Sequence, residues 1–181
     1  MLYLTISAGE AWDESKDEFV YVKEQTLQLE HSLVSLSKWE SKWNKAFLSK
    51  KEKTAEETLD YIRCMTITQN VKPEVYNFLT NEHMKQIKDY IDAPMTATTF
   101  YEDSGKGSGG REVVTAELIY WWMLSLNIPM KCEKWHLNRL ITLIRVTSIK
   151  NSPPKKMNKR QIMSRNKALN EARKQQLNTT G

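Results

Sequence analysis

The side chains able to ligate a metal or attack a substrate are few: His31, His83 and His136, with Cys64 and Cys132. No Cys-x-x-Cys and no His-x-x-x-His occurs, so no local pattern closes the tetrahedral set that zinc requires. Cys132 and His136 are four residues apart near an expected helix start and could share a face. Two ligands are too few for zinc, and a nucleophilic Cys–His pair needs an orienting acid. Glu133, the neighbouring acid, points about 100° away from Cys132 around a helix. A buried thiol beside an ordinary helix histidine is the simpler reading. The run Ser104-Gly-Lys-Gly-Ser-Gly-Gly110 has the glycines of a phosphate loop. However, Gly107 follows Lys106 where Gly-x-x-x-x-Gly-Lys-Ser/Thr demands a hydroxyl, and no apolar strand feeds it. It reads as a linker. The carboxylate pairs Glu56/Glu57 and Asp17/Glu18 fall in a helix first turn and a turn, where local electrostatics and solvation account for them. These residues point away from an enzyme and from any metal or organic cofactor.

The tryptophans and the basic residues are the other candidates. Trp39 and Trp43 share a helix face, Trp121 and Trp122 lie in an apolar helix, and Trp135 begins the next. Aromatics at helical spacing are most often core. The competing role is a partner surface, where tryptophan is enriched at energetic centres. From Lys150 to Lys174 nine basic residues face one acid, Glu171, a net of +8. Since the whole chain carries +5, the remainder carries −3. Charge and aromatics are therefore segregated, which argues against single-strand base stacking. The tail can be a solvated terminus, a segment that folds on a protein partner through Ile162, Leu169 and Ala172, or an arm on nucleic acid, ranked in that order. The candidate partner-binding residues are Trp39, Trp43 and Trp135 on the body and Lys155, Lys156, Lys159, Arg160 and Arg165 on the tail.

The elements that position these residues follow from periodicity. Leu2, Leu4 and Ile6 alternate with Tyr3, Thr5 and Ser7, and Phe19-Val-Tyr-Val22 and Gln25 to His31 continue a two- or three-stranded antiparallel meander. Helical spacing starts near Leu33 with Leu36, Trp39, Trp43 and Phe47. Thr54-Ala-Glu-Glu57 is a capping box ahead of Leu59, Ile62 and Met65. Pro73 opens a short helix, Asn81 starts another through Met84, Ile87 and Tyr90, and Pro94 stops it. Phe100 to Arg111 holds four of the six glycines and is expected to be a flexible loop. Val113 to Ile128 is apolar nearly all round and is expected to be a central helix with neighbours on several sides. Pro129 ends it, a helix around Glu133 to Ile149 follows, and Ser152-Pro153-Pro154 breaks the chain before a helical or disordered tail.

The 181 residues, 40% of them hydrophobic and 27% charged, fit a soluble globular chain. No apolar run approaches the ~18 residues of a bilayer span, and the first residues carry no basic-then-apolar leader pattern. Two cysteines exclude a disulfide framework. The expected fold class is α+β, mainly α. Residues 1–32 form the meander, 33–149 a helical body with the Gly-rich loop 100–111, and 150–181 the basic tail.

Several segments carry a resemblance: Leu36-Ser-Lys-Trp-Glu-Ser-Lys-Trp43, Thr115-Ala-Glu-Leu-Ile-Tyr-Trp-Trp-Met123, Glu133-Lys-Trp-His-Leu-Asn-Arg-Leu-Ile-Thr-Leu-Ile-Arg145, Asn151-Ser-Pro-Pro-Lys-Lys-Met157 and Met163-Ser-Arg-Asn-Lys-Ala-Leu-Asn170. Together they resemble the tail assembly chaperones of long-tailed, siphovirus-type bacteriophages. The resemblance implies a non-catalytic factor of the host cytoplasm that coats the tape-measure protein, keeps it soluble and helps recruit tail tube protein. It implies no catalytic residues, cofactor or membrane, and leaves self-association open. The other readings are a structural component of the virion, in the tail or its connector, and a nucleic-acid-binding regulator that uses the tail.

Overall fold

The computed structural model describes residues 1–13, 17–100, 113–152 and 159–177, and has the α+β, mainly helical architecture expected. The chain divides into two units, Met1–Ile149 and Lys150–Gly181. Four strands come first: β1 (Leu2–Ile6), β2 (Gly9–Asp13), β3 (Glu18–Val22) and β4 (Gln25–Leu29). β1 pairs antiparallel with β4, and β2 with β3. One register runs through both pairs, from Leu2 opposite Leu29 to Asp13 opposite Glu18, so the meander takes the form of a single hairpin ribbon interrupted at Ser7–Ala8 and Lys23–Glu24.

The interruption turns the ribbon over. In its first half Leu4, Ile6, Leu27 and Leu29 are buried, as a period of two requires. The same face continues into Trp12, Phe19 and Tyr21, which are exposed, while Val22 from the opposite face is buried. Gly9, paired with Val22, lies against Phe78: a Cβ there would stand 2.6 Å from the Phe78 ring. The free edge of β4 is partly satisfied by the chain after the second helix, through Glu30 N–H to Met65 O (2.9 Å) and Ile67 N–H to Gln28 O (2.8 Å).

Local signals set the helix starts. α1 (Leu33–Trp43) is capped by a Ser32/Ser35 box and stopped by Asn44 in the left-handed region (φ 52°). α2 (Ala55–Met65) begins with the Thr54/Glu57 box expected from the sequence. A 3₁₀ turn, Pro73–Phe78, leads to α3 (Asn81–Asp92), whose cap is Thr80 with His83, one residue earlier than Asn81. The Thr80 hydroxyl accepts from His83 N–H, and the His83 ring returns to Thr80 N–H. α4 covers only Ala116–Ser125. It ends through Asn127 at φ 54°, with Ile128 N–H reaching Met123 O at 2.8 Å, so the stop precedes Pro129. A second 3₁₀ turn (Met130–Lys134) precedes α5 (Leu137–Asn151), and α6 (Lys159–Leu177) lies in the second unit.

The apolar residues of the first unit form two clusters. One joins the ribbon to Trp39, Tyr61, Ile62, Met65, Ile87 and Tyr90; the other joins Leu33 and Leu36 to α4 and α5 through Ile119, Met123, Leu137 and Leu140. α1 serves both. Glu40, also on α1 and buried, accepts Phe47 N–H at 2.8 Å and Ala116 N–H at 2.7 Å. A carboxylate is thus placed at the positive end of α4, 76 residues away, where it satisfies an amide the helix leaves unpaired.

One expectation is corrected. The Val113–Ile128 stretch is not surrounded by neighbours. Ala116, Ile119 and Met123 are buried, but Trp121 and Leu124 on the other side of α4 are 60% and 64% exposed. α4 packs through one face only, because α1 and α5 meet the same side of it. Of loop 100–111 only Phe100 falls among the described residues, with the Arg145 guanidinium 3.9 Å from its ring centre. Among the described residues no helix is long and apolar enough to cross a membrane.

Removal of the Glu40 carboxylate leaves two amides without their acceptor. Glu40→Ala should therefore lower the unfolding free energy by about 3 kcal/mol, read as a shifted midpoint in urea denaturation. An unchanged midpoint would show that water replaces the carboxylate at no cost.

Candidate functional site

Two histidines that are 105 residues apart in sequence meet in the core. The segment His31-Ser32 runs antiparallel to His136-Leu137, with Leu137 N–H donating to His31 O at 2.7 Å. The rings stand edge to face, 5.2 Å between centres. His136 Nε2 lies 3.0 Å from the main-chain oxygen of Tyr90, which only accepts, so Nε2 carries the proton. Its Nδ1 then accepts Asn138 N–H at 3.3 Å, and the neutral ring is satisfied on both sides. His31 Nδ1 bonds the Tyr61 hydroxyl at 2.6 Å. The Tyr90 hydroxyl donates to Glu30 Oε1 at 2.6 Å, and Glu30 Oε2 also takes the Met1 ammonium at 3.1 Å.

Burial governs the protonation of this cluster. It lowers His31 to about 4, with the neighbouring His136 adding to the effect. His136 is lowered by burial too, against the pull of the Tyr90 carbonyl and Glu30. Tyr61 and Tyr90 are raised, chiefly by burial, and keep their protons. Two neutral imidazoles between two phenols make a hydrogen-bonded junction. Among the described residues no three His, Cys, Asp or Glu side chains gather as a metal site would need. Cys132 and His136 do not share a helix face: the 3₁₀ turn ends at Lys134, and Trp135 is extended (ψ 162°) before α5 begins.

The tryptophans divide by position. Trp39, expected to meet a partner, is 1% exposed and donates through Nε1 to Glu57 O at 2.8 Å. It is core, because its side of α1 faces α2 and the ribbon. Trp43 is half-buried, stacked on Trp39, and its Nε1 donates to Asp60 Oδ2 at 2.9 Å. Lys42 and Lys45 complete this seam by pairing with Asp60 and Glu57. Lys45 and Thr54 hold the Glu57 carboxyl below its ordinary range. At Asp60 burial pushes upward, but the bonds from Lys42 and Trp43 prevail and the net direction is down. Trp135 is half-buried, with the Arg139 guanidinium 4.5 Å from its ring centre. The exposed tryptophans are Trp12 and Trp121. Shared spacing shows which residues lie on one face, not what that face meets, so the sequence held no signal separating Trp39 from Trp121.

Several apolar surfaces remain open on the first unit: the Trp12–Phe19–Tyr21 face of the ribbon, the Trp121–Leu124 side of α4, a groove of about 920 Å³ along Leu48, Val113, Val114, Trp122 and Ile141, and a groove of about 410 Å³ between α2 and α3. In the last, Phe47 is stacked on Tyr61 (3.8 Å) and flanked by Met84, Ile87 and Ile91. Lys53, Lys85 and Lys88 stand along it. In the second unit, the described side chains of α6, including Met163, Leu169 and Leu177, are exposed. Lys159, Arg160 and Arg165 belong to that helix by backbone, but their side chains, and Lys155 and Lys156 altogether, lie outside the described residues.

The junction makes stability depend on pH with a definite sign. An unfolded His31 takes a proton near 6.5 and the folded one only near 4, so acid favours the unfolded chain. Stability is complete above about pH 6.5 and should fall by roughly 3 kcal/mol as pH drops toward 4. Urea titrations at a series of pH values should show this slope, and His31→Gln should flatten it between pH 6.5 and 5. An equal slope in the variant would assign the effect elsewhere.

No protein-family model, no curated protein and no solved structure matches this chain.

Proposed function

We propose that this protein is a non-catalytic assembly factor that holds helical segments of another protein, acting as a tail assembly chaperone of a long-tailed bacteriophage in the host cytoplasm. Its partners in this reading are the tape-measure protein and the tail tube protein. The observation that carries the reading is the apolar surface left open on the first unit: Trp121 and Leu124, one helical turn apart on α4, are more exposed than covered. Large apolar side chains grouped on a surface mark interaction sites more often than they occur by chance. A helix hundreds of residues long presents apolar stripes that aggregate when bare, and many weak contacts along one rod supply avidity. The resemblance of the Leu36–Trp43, Thr115–Met123 and Glu133–Arg145 segments to the chaperone family supports the same reading.

The basic tail supports a second reading, a nucleic-acid arm, since α6 extends with exposed basic side chains such as Lys167, Arg173 and Lys174. Phosphate contacts would give binding that weakens steeply as salt rises. A flat response down to low salt removes that alternative.

Co-expression tests the first reading. The tape-measure protein should move from the pellet to the soluble fraction and co-purify with this chain. Trp121→Ser combined with Leu124→Ser should reduce the recovered partner several-fold while thermal melting stays unchanged, since both side chains face outward. Unaltered solubility of the tape-measure protein, with no co-purification, would overturn it.

A further inference from the structure

We propose that the groove between α2 and α3 is the docking site for an amphipathic helix of another protein whose apolar stripe is flanked by acidic residues. The inference rests on the helix-binding reading above and gives it a site and a partner chemistry. Three observations carry it.

The first is shape. The groove is lined along α3 from Met84 to Ile91, a rise of about 10 Å or two helical turns, and along α2 from Thr58 to Ile62. Met84, Ile87 and Ile91 on α3 are spaced three and four apart, which is the ridge that one helix offers another. Ile87 is buried in the core, while Met84 and Ile91 beside it are half-buried and line the groove.

The second is charge. Among the described residues, no carboxylate lines the groove, whereas Lys53, Lys85 and Lys88 do. Lys85 and Lys88 are one turn apart on α3, a rise of about 4.5 Å, which matches acids one turn apart on a facing helix. Lys53 enters from the chain ahead of α2, its Nζ 4.4 Å from the Phe47 ring centre. Three lysines without a carboxylate favour an acidic occupant over a basic one. The acidic helix α2 is not available as an occupant on a second copy, since its own apolar face is packed on α1 and the ribbon.

The third is the absence of anything that would orient a small ligand. Besides the lysines and the Tyr61 hydroxyl, the polar side chain among the lining residues is Thr58, whose hydroxyl donates to Thr54 O at 2.9 Å. The Tyr61 hydroxyl is taken by His31. A single-headed amphiphile would engage one lysine and leave the others idle, whereas a helix engages a row.

The test uses the full chain and a fluorescein-labelled peptide of about 14 residues, with Leu at helical spacing and Glu on both flanks. A second peptide keeps every Leu and carries Lys in place of Glu. The Glu peptide should bind saturably, gain helical circular dichroism, and bind ~10-fold or more tightly than the Lys peptide. Lys85→Glu with Lys88→Glu, both exposed positions, should reverse the preference without changing thermal melting. Equal affinity for the two peptides, no binding of the Glu peptide, or no effect of the double reversal overturns the proposal. Oleate binding without peptide binding also overturns it. Peptide binding lost in Trp121→Ser but kept in the lysine reversal overturns it as well, while leaving the assembly-factor reading intact. Conversely, a Glu-selective groove in a protein that leaves the tape-measure protein insoluble keeps this inference and removes that reading.

Discussion

A single helix of 11 residues has to face two cores at once, and the first unit is built around that constraint. α1 turns Leu33 and Leu36 toward α4 and α5, and Trp39 toward α2 and the ribbon. The two sets lie within two turns, so neither core can shift without moving the other. Glu40 fixes the arrangement by accepting one amide from the α1–α2 connection and one from the start of α4. A buried carboxylate is costly to desolvate, and two backbone donors with a helix dipole offset much of that cost. From the same helix, Trp39 and Trp43 bind α2 by indole N–H bonds to Glu57 O and Asp60 Oδ2. The junction of His31 with His136 adds a second staple between the two cores, made from neutral rings that burial keeps neutral.

Much of this architecture is legible in the chain because its causes are local. Alternation in Leu2–Ile6 sets the buried face of β1, and Thr54-Ala-Glu-Glu57 sets the start of α2, since each signal and its effect lie within a few residues. The start of α3 was readable to within one residue, Thr80 in place of Asn81, because both side chains are capable caps and only the geometry chooses. What is not legible is non-local. Nothing near Glu40 announces Ala116, and nothing near His31 announces His136. The apolar run from Val113 to Ile128 shows how hydrophobicity alone misleads: composition states that a helix prefers cover, but the covering elements are fixed by the topology of the whole chain. In α4 they reach one side only, and Trp121 and Leu124 are left out.

The candidate surfaces follow the same logic. Trp39 and Trp43, an aromatic pair whose spacing fits a core stripe and a binding face equally, pack against α2, whereas the groove beside Tyr61 exists because α2 packs on α1 and α3 packs on the ribbon, leaving a trough between them. Its lysines lie on faces that a helical wheel would assign simply to solvent. The chemistry open to such a surface is recognition: apolar contact for affinity and spaced positive charge for choice of partner.

The double duty of α1 also orders events in time. Every residue of the first cluster has been synthesised once Ile91 is made, whereas, apart from Phe47, the partners of Leu33 and Leu36 arrive only between residues 114 and 144. A chain emerging from the ribosome can therefore close one half while α1 still bears a bare aliphatic strip on its other side. That strip is transient by construction, and it is covered from within the same polypeptide. The nascent chain thus passes through a stage in which its own unfinished seam is the stickiest part of it.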